Sequence, residues 1–357
     1  MTTAIIILVM LLTLAYFYLK CSIMSSFSTM MIAIFASILS LSFYEMLAGL
    51  FISRGYGVEW AHAGCFILIF ILSFTLLRIS RDLLIGGTTI DLGDPAKIIA
   101  AIVCGLLTGV LISGNILIAI GLIPVQSKYL DGRYDTNRGI TVEGVEKSFL
   151  NTDGIVTGLY SLISRGSMKS SKSFAVLHAD YLSQIHNNRA KVSEKVLAVT
   201  SKTSLKLPSG KNKNPVRLWN SPDNNKLTII RIGIISKKIQ SGGAGNPAKG
   251  NNIEFYPAQV RMICKSSSGS DALSGTGKVF LPVGLFHEGK LVDKKRDEIL
   301  SFESREAENG VLWRDIVFNI PTNYTGVLLE FKQNALIELP AAVPYSEENE
   351  KNLGLIE

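Results

Sequence analysis

Charged side chains are scarce at the start of this sequence. The chain has 65 Asp, Glu, Lys and Arg residues (36 + 29 = 65), and only 10 of them precede residue 124. Four long runs without charge fill that stretch, and each approaches or exceeds the roughly 20 residues that cross a bilayer core of about 30 Å as a helix. The scarcity of charge predicts a membrane part followed by a water-soluble part.

The sequence also lacks the local patterns that indicate catalysis. It contains no GxSxG, HExxH or paired CxxC. Cys21, Cys65 and Cys104 lie in or beside apolar runs and Cys264 stands alone in the polar part, so no disulfide framework can be drawn. We therefore predict a protein that is not an enzyme, with no cofactor and no metal site.

Three sets of residues come nearest to a chemical site, and each has a simpler explanation. His178 and His186 could face one side of a helix, but Asp180 would point across it, which favours an ordinary helix surface. His62 and Cys65, three residues apart, would supply only two metal ligands. The third set lacks the context of a phosphate loop and is better explained by a flexible hairpin: Gly242, Gly243 and Gly245.

The run from residue 95 to residue 124 is the strongest membrane signal. It has no charged side chain between Lys97 and Lys128, whereas the alternative, a buried helix of a soluble protein, would bear a cost of about 1 kcal/mol for each glycine. Small residues recur in it at intervals of four and predict a face for close helix packing: Ala101, Gly105, Gly109 and Ser113. This face predicts partner helices and offers a contact for a homo-oligomer.

The four predicted spans are residues 4–19, 28–44, 61–77 and 95–124, and the first is expected to remain uncleaved because no Lys or Arg precedes it. Positive residues near spans stay in the cytoplasm. Lys20, Arg78, Arg81 and Lys97 fall on one side and Arg54 alone on the other, a balance of four to one. This balance places the amino terminus and everything after residue 124 outside the cytoplasm.

Five charged residues are predicted to lie at the membrane interface: Glu45, Arg54, Arg78, Arg81 and Lys97. Three of them, Arg78, Arg81 and Lys97, are expected to hold the cytoplasmic loop against anionic membrane lipid. Glu45, Glu59 and Arg54 flank one loop, so ion or proton handling is a second, less favoured interpretation of that group.

Residues 125–188 carry short helical patterns and are predicted to form a membrane-proximal helical region. Residues 189–225 are rich in Lys, Ser, Asn and Pro and are predicted to form a flexible linker, with a short strand at residues 195–200 as one exception. Eight basic residues and one acidic residue between Arg189 and Arg217 give that stretch a charge of +7 (8 − 1 = 7). Few aromatics interleave it, which argues against nucleic acid, while anionic lipid or an acidic envelope polymer remains an alternative to a solvated linker.

Residues 226–340 show a period of two. Seven runs rich in Val, Ile, Leu and Phe are separated by turn-forming clusters, and they predict an antiparallel β-sandwich: residues 227–239, 253–264, 278–286, 299–303, 312–320, 326–331 and 335–339. Residues 341–357 form an acidic tail that is predicted to be mobile. The predicted fold class is a bundle of four transmembrane helices joined to a soluble, all-β, sandwich-like domain.

Three features of the first 124 residues resemble the colicin V production (CvpA) family of bacterial inner-membrane proteins. The second span leads into the run from Phe43 to Ala48, the third ends in Leu77 and Arg78, and the fourth carries Ala100, Ala101, Gly105, Gly109 and Gly114. The resemblance covers about a third of the chain and is a diffuse pattern. It implies a role in the cell envelope connected with toxin production or export, and it brings no functional residues with it.

The expected function is a non-enzymatic role in the envelope or in toxin secretion, in a bacterial inner-membrane protein whose β-domain binds an envelope protein or polymer outside the cytoplasm. The alternative is an oligomeric small transporter or channel component, because four helices with peripheral charges leave little room for a polar path in one copy.

Overall fold

The computed structural model describes residues 2–85, 93–123, 145–166, 173–189, 197–210, 212–222, 226–241, 252–266, 273–303, 306–333 and 335–355. The chain forms two compact units. The helical unit comprises Met1–Leu50, Trp60–Asn137 and Glu143–Leu162, and the β-rich unit comprises Phe51–Glu59, Arg138–Val142 and Ile163–Glu357.

Four helices open the chain: α1 (Thr2–Lys20), α2 (Ile23–Ser53), α3 (Ala61–Ile85) and α4 (Asp94–Leu122). All four are long and apolar enough to cross a membrane, as judged by length and composition. The predicted set of four apolar helices is therefore confirmed, although α2 is longer at both ends than the predicted span.

Helix α3 corrects the predicted end of the third span. The predicted span stops at residue 77, but the helix continues through Arg78, Arg81 and Asp82 to Ile85. Arginine has a high helix propensity, and its long side chain can carry its charge away from an apolar surface, so it need not interrupt a helix that leaves an apolar layer. Residues 86–92, which follow this helix, lie outside the described residues.

Within the helical unit, side-chain contacts fix the directions of the helices. Ser40 of α2 donates a hydrogen bond to the carbonyl of Phe66 in α3 at 2.8 Å, and Arg81 donates to Ser25 at 2.7 Å, so α2 and α3 are antiparallel. A 3-10 turn, Phe149–Asn151, leads into helix α5 (Thr152–Arg165), which completes the described part of this unit.

The β-rich unit begins with two short helices, α6 (Phe174–Leu177) and α7 (Tyr181–Arg189). Its strands are β1 (Leu197–Val199), β2 (Leu205–Lys206), β3 (Val216–Asn220), β4 (Lys226–Ile235), β5 (Ile239–Ser241), β6 (Asn252–Phe255), β7 (Val260–Ser266), β8 (Lys278–Phe280), β9 (Pro282–His287), β10 (Lys290–Asp293), β11 (Leu300–Glu303), β12 (Val311–Phe318), β13 (Tyr324–Phe331), β14 (Ala335–Glu338) and β15 (Val343–Pro344). Helix α8 (Glu347–Leu353) follows. Each of the seven predicted strand runs coincides with one or two of these strands, and the prediction of a β-rich C-terminal region is confirmed.

Two sheets dominate this unit. The seven-stranded sheet has the order β10-β9-β12-β4-β3-β15, with β2 also paired to β4, and the four-stranded sheet has the order β14-β13-β7-β8. The pairs β1-β5 and β11-β6 form two smaller ladders. All pairings are antiparallel except β15 with β3, and the sheets remain open.

One apolar core receives side chains from both large sheets. Ile232 and Ile316 come from the seven-stranded sheet, and Met262, Leu329 and Phe331 come from the four-stranded sheet. Strand β4 is buried along most of its length on both faces, which agrees with its nearly continuous apolar sequence.

The structure corrects the prediction that residues 189–225 form a flexible linker. Strands β1, β2 and β3 lie within it, and Val199, Leu205 and Val216 join the core. The polar composition of this stretch suggested a linker. A few well-placed apolar side chains are nevertheless enough to form a strand when a neighbouring strand such as β4 supplies the hydrogen-bonding partner. Residues 190–196, 211 and 223–225 lie outside the described residues.

The structure also corrects the prediction of a mobile tail, because residues 341–355 contain β15 and α8. The Ser346 hydroxyl accepts a hydrogen bond from the amide of Asn349 at 3.3 Å and caps the start of α8. Glu347, Glu348 and Glu350 lie in the first turn, where negative charge stabilises a helix, and Gly354 ends it with φ of 73°.

Arg217 is one of the residues that hold the tail in place, together with Asn214, which bonds to Asn349 of α8. The side chain of Arg217 is 0% exposed, and its Nη1 lies 2.7 Å and 2.6 Å from the two carboxylate oxygens of Glu350 in α8. Its Nη2 pairs with Asp315 of β12, which also accepts a hydrogen bond from Arg231 at 2.7 Å. The charge that made residues 189–217 resemble a solvated linker is thus partly buried in an ion-pair network.

Replacing Glu350 should destabilise the β-rich unit. In Glu350→Ala the buried Arg217 would lose two hydrogen bonds, and removing one partner of a buried pair costs about 3 kcal/mol or more. We expect a lower midpoint for the denaturation of the detergent-solubilised chain, followed by the fluorescence of Trp219, which is close in sequence to Arg217. Glu348→Ala, which alters an exposed side chain of the same helix turn, is the matched control. Equal midpoints for the two variants would contradict the role given to Glu350.

Candidate functional site

The small-residue face predicted on α4 lies against α1 of the same chain. A Cβ atom added to Gly109 would lie 2.6 Å from the Oγ1 of Thr13 and 3.1 Å from the Cα of Met10. One added to Gly105 would lie 3.3 Å from the Cβ of Phe17. As the residue numbers rise along α4 they fall along α1, so the two helices pack closely in antiparallel directions.

The two outer members of this face are buried as well. Ala101 is 1% exposed and packs with Phe17, Cys21 and Cys104 in an apolar cluster. Ser113 is buried, and its hydroxyl donates to the carbonyl of Val110 at 3.1 Å. The homo-oligomer contact through this face stays a prediction. Since α1 covers the two glycines, a second copy of the chain would have to compete with α1 for them.

A buried amide occupies the interior of the helical unit. The Nδ2 atom of Asn115 in α4 donates to the Oγ of Ser37 in α2 at 2.7 Å and to the carbonyl of Leu111 at 2.7 Å. Its Oδ1 has no hydrogen-bond partner among the described residues. Sequence reasoning missed this contact, although Asn115 is the single amide side chain in residues 95–124 and could have been singled out.

The start of α5 also lies against α4. A Cβ added to Gly114 would lie 2.4 Å from the carbonyl oxygen of Thr152 and 2.7 Å from a methyl group of Val156. Asp153 is 0% exposed and accepts a hydrogen bond from the hydroxyl of Ser148 at 2.7 Å. The sequence predicted a membrane-proximal helix here but gave no sign of its contact with α4.

Two of the predicted interface charges lie at one end of the helical unit. Arg78 donates a hydrogen bond to the hydroxyl of Tyr16 at 2.6 Å, and its guanidinium lies 5.5 Å from the centre of that ring. Arg81 contacts Ser25 and forms an ion pair with Asp82 at 2.5 Å. The structure brings both arginines to the junction between α1 and α2.

Of the other predicted interface charges, Lys97 lies at the same end of the helical unit, because Ala101, one turn further along α4, packs against Cys21 just after α1. Lys97 is exposed in the first turn of α4, and Arg54 is exposed in the turn that follows α2. Glu45 lies in α2 and accepts a hydrogen bond from the hydroxyl of Tyr44 at 2.9 Å. The ring of Tyr44 lies edge-on to His62 at 6.0 Å between centroids, so an acid and a histidine mark the opposite end from Arg81.

The separation of these two ends can be read along α2. Ser25, beside Arg81, and Glu45 are 20 residues apart (45 − 25 = 20) with no charged residue between them. A helical rise of 1.5 Å per residue gives about 30 Å, which equals the thickness of a bilayer's hydrocarbon core.

Of the residues considered for metal binding, His178 has another partner, whereas the Nδ1 atom of His62 is buried without a hydrogen-bond partner among the described residues. Among the described residues, no group of three or more His, Cys, Asp and Glu side chains could hold a metal ion. His178 Nδ1 lies 2.7 Å from Gln184 Oε1, and Gln184 donates to Glu330 at 2.7 Å. Glu330 and Asp180 both pair with Arg261, so these polar groups form one network between α7 and the four-stranded sheet. The glycines Gly242, Gly243 and Gly245 lie outside the described residues.

Lys332 is a buried base that the sequence did not reveal. It follows β13 with a positive φ of 54°, and its Nζ donates to the carbonyl of Asn188 at 2.7 Å. Burial lowers the pKa of its ammonium group to about 7.

Comparisons with protein-family models, with curated proteins and with solved structures find no match to this chain. The assignment of a function therefore depends on the geometry of the chain itself.

Enlarging Gly109 should loosen the helical unit. Gly109→Leu would force side-chain atoms into α1, and overpacking of this kind costs about 1–3 kcal/mol. Cys21 and Cys104 are buried where α1 meets α4, so we expect a thiol-reactive dye to label the variant at a lower temperature in detergent. Gly64→Leu in α3, where an added Cβ meets nothing within 4 Å, is the control. Labelling curves that coincide for the two variants would contradict the packing described for α4.

Lys332 should make the stability of the β-rich unit depend on pH. The folded-state pKa lies below the ordinary value of 10.5, so between pH 7 and pH 10 the unfolded chain binds a proton that the folded chain does not. Stability should therefore rise with pH across that window, by at most about 1.4 kcal/mol per pH unit from this group, and level off below pH 7. Lys332→Met should flatten the dependence when denaturation midpoints are compared at pH 7 and pH 9. An unchanged slope in this variant would assign the dependence to another group.

Proposed function

We propose that this chain is an integral membrane protein of the bacterial envelope with a non-enzymatic role, in which the helical unit is the anchor and the β-rich unit binds a partner outside the cytoplasm. The observation that carries the proposal is the charge-free layer of about 30 Å between the Arg81 end and the Glu45 end of α2.

A binding role for the β-rich unit is supported by its open sheets and its shared core. We interpret the two large sheets as a sandwich-like domain, because both contribute to one core through residues such as Ile232 and Met262. Strands β8 and β14 form the edges of the four-stranded sheet, and β10 forms one edge of the larger sheet. Edge strands of this kind can add a strand from a partner.

The non-enzymatic assignment is supported by the way in which buried charges are used. Arg217 and Arg231 pair with Asp315 and Glu350, and Arg261 pairs with both Asp180 and Glu330. Charged side chains that are buried in such pairs hold strands and helices together. They are poorly placed to transfer protons to a substrate.

The orientation and the envelope role extend the sequence predictions. Arg78 and Arg81 lie at the same end of the helical unit, and the excess of positive residues there favours a cytoplasmic location for that end. The resemblance to the colicin V production family supplies the connection with toxin production or secretion. We retain it as part of this proposal, without support from the comparisons.

Membrane insertion and sidedness can be tested together. We expect the full chain to remain in the membrane fraction after a carbonate wash, and a reporter fused after Glu357 to be active if its enzyme works only outside the cytoplasm. A paired fusion to an enzyme that works only in the cytoplasm should be inactive. Release by carbonate would refute the anchor, whereas the opposite reporter pattern would refute only the orientation.

A transporter or channel component is the second candidate, and the buried contact between Asn115 and Ser37 favours it. Polar side chains inside a membrane bundle often mark a pathway for ions or substrates. If this candidate were correct, Asn115→Leu would reduce ion flux through liposomes that contain the chain, while the oligomer size stayed the same. Flux equal to that of protein-free liposomes for the unaltered chain would exclude ion conduction.

A further inference from the structure

We propose that the segment Phe149–Leu162 is a re-entrant membrane segment, which dips into the bilayer beside α4 and presents its outer face to lipid acyl chains. This inference depends on the proposed membrane anchor and adds a fifth, non-spanning element to it. The partner is the hydrocarbon layer itself.

The depth of the segment follows from its contact with Gly114. Gly114 precedes the end of α4 at Leu122 by eight residues, which is about 12 Å of helix. Its neighbour Asn115 bonds to Ser37, which lies eight residues before Glu45 in α2 and therefore at a similar depth. Since Thr152 lies against Gly114, α5 begins well inside the layer that is bounded by Glu45.

The direction of α5 follows from its other end. Tyr160 and Ser42 share a hydrogen bond of 2.5 Å, and Ser42 lies three residues from Glu45. Thr152 is thus the deeper end and Tyr160 the shallower one. The chain leaves α4 at residue 123 and returns to the depth of Gly114 before α5 begins, which is the path of a re-entrant segment.

The inner and outer faces of the segment differ. Thr152 and Val156 are buried and face α4. The outer surface of the segment exposes four large apolar side chains: Phe149 at 46%, Leu150 at 49%, Ile155 at 45% and Leu162 at 59%. A helix of a water-soluble unit would place polar residues on such a face.

Lipid is the occupant that best fits this face. The turn Phe149–Asn151 lies beside α1, whose residues Leu8, Leu11 and Leu12 are also exposed, so the outer surfaces form one apolar belt. Water does not reach that depth, so internal hydrogen bonds favour the segment there, although the Thr152 hydroxyl has no partner among the described residues. The Ser148 carbonyl accepts from the amide of Asn151 at 2.8 Å, and the Ser148 hydroxyl donates to Asp153.

Spin labels at single introduced cysteines can measure the depth of the segment. Leu150→Cys and Leu162→Cys report on it, Val103→Cys on the exposed side of α4 is the control for lipid, and His287→Cys in the β-rich unit is the control for water. The full chain is reconstituted in phospholipid vesicles, and relaxation by oxygen is compared with relaxation by a water-soluble nickel chelate. Cys21, Cys65, Cys104 and Cys264 are buried, so the labelled parent chain provides the blank.

We expect oxygen accessibility to exceed nickel accessibility at residues 150 and 162, as at 103, with the opposite order at 287. Residue 150 should also lie deeper than residue 162. If residue 103 reports lipid while 150 and 162 report water, the re-entrant segment is refuted and the anchor stands. If residue 103 also reports water, the membrane anchor itself fails. A residue 162 that lies deeper than residue 150 would refute the direction given to α5.

Discussion

The absence of charge between the two ends of α2 is the constraint on which the helical unit depends. In a layer without water, backbone groups must bond within their own helices, and side-chain hydroxyls can bond to carbonyl groups of the preceding turn. Thr13 donates to the carbonyl of Val9 at 2.9 Å, Ser37 to that of Ala33 at 2.7 Å and Ser42 to that of Ile38 at 2.7 Å. Apolar surface gives no net attraction between helices in lipid, so cohesion must come from close contact, which Gly105 and Gly109 permit.

The β-rich unit is stabilised differently, because the hydrophobic effect can drive the burial of its apolar side chains. Its apolar core joins the two large sheets, while buried ion pairs hold the elements at the margin of the seven-stranded sheet. Arg217 of β3 reaches Asp315 in β12 and Glu350 in α8, so one side chain connects three elements. Without α8 the buried Arg217 would lose Glu350 and would have to share Asp315 with Arg231, and this loss makes an arrangement without α8 unfavourable.

The features that the sequence predicted are those with a local period. The apolar helices and the seven strand runs follow from spacing within 5 to 30 residues. The missed features depend on distant partners: Arg217 is 98 residues from Asp315 and 133 residues from Glu350. Composition alone made residues 189–225 resemble a linker and residues 341–357 a mobile tail, because their charges cannot be assigned to partners from local pattern. Likewise, the small-residue face on α4 could be predicted, but the identity of α1 as its neighbour could not.

In helix α4, the local sequence predicts the span, and the contacts with distant residues determine its surroundings. Its sequence is apolar on every side, which predicts a span but not its surroundings. Its first half exposes Ile99, Val103 and Leu107, whereas nearly all of its last ten residues are buried. A helix that is buried on all sides lies at the centre of a bundle. Gly109 and Gly114 are five residues apart and therefore face different directions, one towards α1 and the other towards α5. The bundle is accordingly thickest around the second half of α4, where α5 is added, and it is there that the buried amide of Asn115 lies.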